Sequence, residues 1–283
     1  MCKLSVIVPV YNALNDVKLC LKSLKHNFNF ELGEIIIVND CSNLKTSNFL
    51  RKFVQSNTQF NLIENQENLG FVKTCNKGMK ISNGNIVVLL NSDTVIPPHF
   101  VEKIIECFNS KNKIGIASPI SSFSNAYFIP CKRYSDIGKI NNLLEQKHKC
   151  AYPLILTAEG FCYCIRRQVI EQQGYLDEIW GKGYHEETDY SLRAIKNGWE
   201  NALIDNLYVY HRRNASFGEN REIQIKKNNP EFYRRWGDFR QKYKAEHNLI
   251  NPIIEIEKEI YPNGNPASSK CSLLEKFFRY IQK

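Results

Sequence analysis

The chain is poor in the features that mark several protein classes. Its ten cysteines (2, 20, 41, 75, 107, 131, 150, 162, 164 and 271) include no Cys-x-x-Cys pair, which argues against a zinc site or a disulfide framework. Several interrupt apolar stretches, where a free thiol acts as a small hydrophobe, so a reducing cytoplasm is the expected compartment. No stretch approaches the roughly 20 uninterrupted apolar residues of a spanning helix. No charged segment with a long apolar core opens the chain, so a signal peptide is not expected. The first strand end lacks a glycine-rich, lysine-bearing phosphate loop, and there is no internal repeat, low-complexity tract or recognised nucleic-acid motif.

What is present is a globular composition with a basic balance. A length of 283 residues allows one large or two small domains, and 43% hydrophobic residues support a substantial core. Thirty-eight basic against 29 acidic residues give a net charge of +9, which suits anionic partners such as nucleotides, nucleic acid or a lipid surface.

Through residue 117 the pattern alternates. Largely apolar runs at 4–10, 35–38, 60–63, 86–90 and 114–117 read as buried strands. Helical spacing is expected over 16–24 (Val17, Leu21 and Leu24 on one face), 44–56, from Gly70 to about 81, and after Pro97-Pro98. Such runs separated by helices predict an α/β fold with a mostly parallel sheet covered on both faces. Residues 118–153 read as loops. A strand is expected over 154–165, a helix over 186–197 closed by Gly198, and short strands at 202–204 and 208–210. From 212 to 247 ten basic residues face five acidic ones, interleaved with Phe232, Tyr233, Trp236, Phe239 and Tyr243. The expected division is a domain over 1–217 and a basic, aromatic, helical extension over 218–283.

Three strands end in polar residues: Pro9-Val10-Tyr11-Asn12, Asn39-Asp40 and Asn91-Ser92-Asp93. In a doubly wound sheet such carboxyl ends converge on one crevice. There Asp93 could hold a hard divalent cation against phosphate oxygens. Asp40 suits a base or ribose, or else an N-cap for the helix near 44. Gly70 offers free amides and close backbone approach at a helix start. Lys73, one turn in, would reach ribose or phosphate, or simply be solvated. A second cluster, Trp180 to Arg193, puts Glu186, Glu187 and Asp189 at a helix start, where the dipole favours acids. A carboxylate held near other acids and partly desolvated acquires the raised pKa a general base needs.

Five motifs in this order, Ser5-Val-Ile-Val-Pro-Val-Tyr-Asn12, Glu34-Ile-Ile-Ile-Val-Asn-Asp40, Asn68-Leu-Gly-Phe71, Leu90-Asn-Ser-Asp93 and Gly183-Tyr-His-Glu-Glu-Thr-Asp189, resemble the family 2 glycosyltransferases with the GT-A fold. The similarity runs from about residue 4 to 217. It implies that Asp40 contacts a uracil or thymine base and that Asp93 holds Mg²⁺ or Mn²⁺ on a diphosphate. The general base would be Glu187 or Glu186. This chain departs from the family in Asn91, which replaces a first aspartate, and in Glu187, which is longer than the common aspartate. Pro9, Tyr11, Asn12, Gly70, Lys73, Asn91 and Ser92 complete the implied donor side. Glu159, Gly160, Phe161 and Asp189 form the acceptor side. His211, in a Tyr-His-x-x-x-x-Ser-Phe context, resembles a downstream metal or diphosphate ligand, with a structural histidine as the alternative.

The activity implied is transfer of a sugar from a UDP or dTDP donor to an acceptor hydroxyl with inversion, as in bacterial surface-glycan and rhamnosyltransferase-like enzymes. The acceptor would be a glycan or lipid-linked glycan. The basic segment, with an amphipathic helix at 273–281, suggests peripheral contact with the inner membrane face, unless its aromatics pack on the domain. The rivals are a nucleotidyltransferase-like or silent nucleotide-sugar binder, and a nucleic-acid-binding protein.

Overall fold

The computed structural model describes residues 3–124, 126–131, 134–212 and 220–267. The strands are β1 (Leu4–Val10), β2 (Gly33–Asn39), β3 (Phe60–Glu64), β4 (Ile86–Leu90), β5 (Thr94–Val95), β6 (Ile114–Ser121), β7 (Cys162–Arg166) and β8 (Glu200–His211). They form one sheet in the order β3-β2-β1-β4-β7-β6-β8-β5. The first four are mutually parallel. β7 enters antiparallel between β4 and β6, and the short β5 closes the edge antiparallel to β8.

The helices are α1 (Leu14–Asn27), α2 (Leu44–Gln55), α3 (Phe71–Ile81), α4 (Phe100–Ser110), α5 (Ile137–Lys147), α6 (Arg167–Gln173), α7 (Glu186–Lys196), α8 (Asn220–His247) and α9 (Ile253–Ile260). Side-chain alternation along each central strand divides the core in two. Val6, Val8, Ile35, Ile37, Val88 and Leu90 pack with Val17, Leu21, Leu50, Phe100 and Ile104 of α1, α2 and α4. Ile7, Ile36, Val38, Val87 and Leu89 face the other way, among Val72 and Met79 of α3 and Tyr190 and Leu192 of α7. Each such fully buried side chain contributes about 1.5–3 kcal/mol, so two covered faces explain the unbroken apolar runs. Gly78 brings α3 against β1, because a Cβ there would meet Ile7 within 2.4 Å. Cys20, Cys75, Cys107, Cys162 and Cys164 are buried in this core as small apolar groups.

Three expectations need correction. Residues 154–165 do not form one strand: Leu154 makes only an isolated bridge to Ala202, and the ladder begins at Cys162. The intervening loop makes scattered bonds rather than a ladder, Ile155 N to Asn201 O, Glu159 N to Ser118 Oγ, and Asn91 N to Phe161 O. Segments 202–204 and 208–210 belong to one strand, β8. Its register jumps where Ile204 faces Pro119 and Tyr208 faces Ile120. The three residues between bulge out, and Asp205 there accepts bonds from His148, Ala151 and Tyr152.

The stretch 118–153 contains a helix, α5, with Ile137, Ile140 and Leu144 buried on one face. Asn141 on that face disguises the pattern, but its amide exchanges bonds with both backbone groups of Tyr208. The basic segment forms the 28-residue helix α8, which spends part of its aromatic surface on the protein. Phe232 and Trp236 lie in the α3/α7 side of the core, whereas Tyr233 is 61% exposed. The amphipathic pattern at 273–281, and Ser216-Phe217 after His211, lie outside the described residues.

Candidate active site

The parallel register puts the ends of β1 and β2 side by side, with Val10 opposite Asn39. β4 pairs on the other side of β1, so Tyr11-Asn12, Asp40 and Asn91-Ser92-Asp93 share one sheet edge. Pro9 is half-buried within β1, opposite Val38. Tyr11 follows with its side chain 42% exposed. Asn12 and Ala13 then adopt left-handed backbone with φ of 60° and 51°. This turn is fastened to the neighbouring strand end: Asn12 donates its amide to Ser42 Oγ (2.9 Å) and accepts Asn43 N at Oδ1 (2.8 Å).

Asp40 does not cap α2. Asn43 does so, accepting Thr46 N at 3.0 Å. Instead the buried Asp40 carboxylate accepts Asn65 Nδ2 (2.9 Å) and Leu69 N (2.8 Å) on one oxygen and Gly70 N (2.9 Å) on the other. The Gly70 amide is therefore engaged by Asp40 rather than free for a phosphate. Gly70 is needed for another reason. Its φ is 80°, and a Cβ would lie 3.1 Å from the Lys182 backbone, so this glycine lets the start of α3 touch the second cluster. Lys73 is half-exposed and 3.9 Å from Glu178, the solvated alternative.

Asp93 and His211 meet because β5 and β8 pair with Thr94 opposite His211. Asp93 Oδ1 lies 3.4 Å from His211 Nε2. On the other side of the ring, Nδ1 is 2.9 Å from the Phe123 carbonyl, which can only accept, so Nδ1 carries the hydrogen. In the neutral ring the Nε2 lone pair then faces a carboxylate oxygen, an arrangement that a cation between them would relieve. Phe161 stacks on the imidazole at 5.1 Å and 17°, which fixes its plane. Among the described residues no group of three or more His, Cys, Asp or Glu could hold a metal ion. Two protein ligands nevertheless suit a divalent ion completed by diphosphate oxygens and water. Ser92 is buried beside Asp93, and the Asn91 amide donates to Phe161 O at 2.9 Å.

At the start of α7, Glu186 is 6% exposed and Glu187 keeps partial access to solvent. One oxygen of each is buried with no hydrogen-bond partner among the described residues. Burial first, then the charge of Glu187, pushes the Glu186 carboxyl well above the ordinary carboxylate range. Glu187 is also raised, by burial, against the opposing pull of backbone donors and His185. The negative charge of each carboxyl disfavours ionisation of the other, so the pair holds one proton more readily than two isolated glutamates. They face different ways: Glu186 oxygens lie near Gly183 and α3, while the Glu187 side chain lies against Gly160, 3.5 Å from where a Cβ would be.

Asp189 is not on an open acceptor face. Its carboxylate is fully buried and accepts Arg193 Nε (2.9 Å), Trp236 Nε1 (2.9 Å) and Arg235 Nη1 (3.3 Å), so it anchors α8 to α7. Glu159 Oε1 accepts the Ala126 amide at 2.8 Å. The loop 159–161 thus links both clusters, with Phe161 on His211 and Gly160 on Glu187. Asn65, which shares Asp40 with the Leu69 and Gly70 amides, carried no motif in sequence; its role arises from the β3–α3 connection crossing Asp40.

The chain belongs to glycosyl transferase family 2, whose family model matches residues 5–174. EpsH of Bacillus subtilis (strain 168), named as a glycosyltransferase, is 29% identical over 193 residues, covering 67% of this chain and 55% of EpsH. Glycosyltransferase GlyA of Streptococcus pneumoniae serotype 4 is 27% identical over 228 residues, covering 76% of this chain and 31% of GlyA. The chain therefore spans about half or less of these relatives. In structure it is similar to residues 1–349 of S. aureus TarS in complex with UDP-GlcNAc, with TM-score 0.60 and 16% identity over 99% of this chain and 79% of that one. The GT-A fold is shared with these neighbours.

Proposed function

We propose that this chain is an inverting, metal-dependent glycosyltransferase that moves a sugar from a nucleoside diphosphate donor, UDP or dTDP, to an acceptor hydroxyl. The observation that carries the reading is the 159–161 loop, which joins a two-ligand cation pair to a buried carboxylate pair with unpaired oxygens. A divalent ion bound there would neutralise charge on the leaving diphosphate. Asp93 and His211 would hold that ion, and Tyr11, Asn12, Asn91 and Ser92 would line the donor edge. Asp40 shapes the donor side through the Leu69–Gly70 turn. Glu187, the more solvent-accessible of the pair, takes the acceptor proton while Glu186 retains the shared one. The acceptor oxygen attacks the anomeric carbon opposite the diphosphate, so one displacement inverts it and no covalent enzyme intermediate forms. Support for the donor class comes from the UDP-GlcNAc of the TarS neighbour.

The test is incubation with a panel of nucleotide sugars, Mn²⁺ and glycan acceptors, reading released UDP, dTDP or GDP and the anomeric configuration of product. Binding without release would leave a nucleotide-sugar binder, and a retained configuration would overturn the single displacement. The acceptor is proposed to be a glycan or lipid-linked glycan of a cell-surface polymer, met at a membrane surface by the basic helix α8. Among the described residues no helix is long and apolar enough to cross a membrane. Salt-reversible flotation with anionic liposomes checks the surface contact; protein that stays at the bottom in low salt sinks it.

A further inference from the structure

The loop that delivers the carboxylate pair is strained, and much of its support comes from another helix. Gly181, Gly183, Tyr184 and His185 have φ of 60°, 131°, 71° and 79°. For tyrosine and histidine a left-handed backbone costs about 1–2 kcal/mol each, and such conformers persist only where the surroundings enforce them. His185 is the N-cap of α7, yet its side chain makes no capping bond. The enforcement comes from α8. Asn228, 5% exposed, points its amide nitrogen at three carbonyls of the loop: Trp180 O (3.2 Å), Gly183 O (3.1 Å) and Tyr184 O (2.9 Å). One turn earlier, Gln224 Nε2 reaches both Trp180 O and Asn228 Oδ1 at 3.4 Å. His185 itself is gripped on two sides: Asn229 Oδ1 accepts its Nε2–H at 2.8 Å, and the Phe232 ring lies flat on the imidazole at 4.1 Å and 12°.

We propose that Asn228, seconded by Asn229 and Phe232, is a positioning residue for the reaction: it holds residues 180–185 in the conformation that sets Glu186 and Glu187 against each other and Glu187 against Gly160. This rests on the reading of the glutamate pair as the base. If α8 only covered apolar surface, an apolar residue would serve at 228. A buried amide aimed at three main-chain oxygens, directly before two carboxylates, serves geometry instead. Misplacing a reacting group by an ångström costs roughly 10²-fold in rate, which is the scale of effect expected.

The titratable groups facing the pair are Cys75 of α3, Tyr163 of β7 and His185; substitutions at 228 and 229 remove none of them, and shift His185 only by withdrawing its support. The experiment compares the full chain with Asn228→Leu, which keeps size without the donor, and Asn229→Ala, which removes only the bond to His185. Glutamate carboxyls labelled with ¹³C are followed by NMR as pH is varied, with Glu186→Gln and Glu187→Gln assigning the pair's signals. Affinity for UDP with Mn²⁺ is measured by calorimetry, and turnover is measured on whichever nucleotide sugar the panel identifies.

The expected result is that the pair titrates nearer the ordinary glutamate range in both variants. Turnover should fall roughly 10²-fold in Asn228→Leu and less in Asn229→Ala, with UDP affinity unchanged within about twofold. Should Asn228→Leu not fold, Asn229→Ala decides alone. A titration identical to that of the unmodified chain overturns the proposal, as does turnover lost only in proportion to UDP affinity. Full turnover in Glu187→Gln would remove the base assignment, while the carboxyl titration would still judge the positioning role.

Discussion

Asp189 offers the sharpest separation between a structural and a substrate-facing acid. Its carboxylate is fully buried, with Arg193, Arg235 and Trp236 as donors at 2.9, 3.3 and 2.9 Å. Replacing it with alanine takes from Arg193 the carboxylate that pairs with it, takes from Arg235 one of three, with Asp177 and Glu231 remaining, and leaves the buried Trp236 indole N–H without its acceptor. Breaking one side of a buried ion pair costs roughly 3–5 kcal/mol, and an orphaned buried donor about 1–3 kcal/mol. Partial compensation by Asp177 and Glu231 argues for the lower part of that range, about 4 kcal/mol in all. At about 2–4 °C per kcal/mol for a chain of this size, Asp189→Ala should lower Tm by roughly 8–16 °C. Asp189→Asn keeps an acceptor but loses the charge, so a loss of about 2 kcal/mol is expected. Urea unfolding followed by tryptophan fluorescence is the assay, because Trp236 itself reports the undocking of α8. An Asp189→Ala midpoint within about 0.5 kcal/mol of the parent, with only the acceptor KM raised, would refute the anchoring argument.

Glu187→Gln should lower turnover by roughly 10²–10⁴-fold while UDP still binds; if Glu186→Gln shows that pattern instead, the base is the inner member of the pair. The raised carboxyls also set a sign for stability. Between the ordinary glutamate value, about 4.3, and the raised values, the folded chain holds a proton that the unfolded chain has released. Stability therefore falls as pH rises through that window. Glu186→Gln should remove this loss and stabilise the protein at neutral pH; an unchanged pH slope of denaturation midpoints would contradict it. Asp93→Ala and His211→Ala should each weaken Mn²⁺ binding in the presence of UDP by at least about tenfold, and EDTA should abolish turnover. Full turnover in chelator would end the metal assignment.

Much of the frame was legible in the chain itself. Apolar runs such as 6–10 and 86–90, too short for a buried helix, fit strands buried on both faces, and polar residues at their ends collect on one edge once the strands are parallel. The reading failed where burial is purchased by polar contacts rather than apolar period. Helix α5 was hidden because Asn141 sits on its inner face. The 154–165 stretch has the look of one strand because most of its residues are small or apolar, but before Cys162 its backbone makes only scattered bonds to the sheet.

By itself the sequence determined which groups exist and their order: the acids at 40, 93, 186, 187 and 189, His211, and the glycines at 70 and 160. Their duties were decided by what the fold brought beside them. Asp40 and Asp189 each accept three donors because Asn65 and the Leu69–Gly70 turn reach the one, and Arg193 with helix α8 reaches the other. Glu186 and Glu187 each kept one buried oxygen without a partner among the described residues. A carboxylate has the same intrinsic basicity wherever it stands in a sequence; burial and the donors that long-range packing supplies decide whether it becomes an anchor or a base.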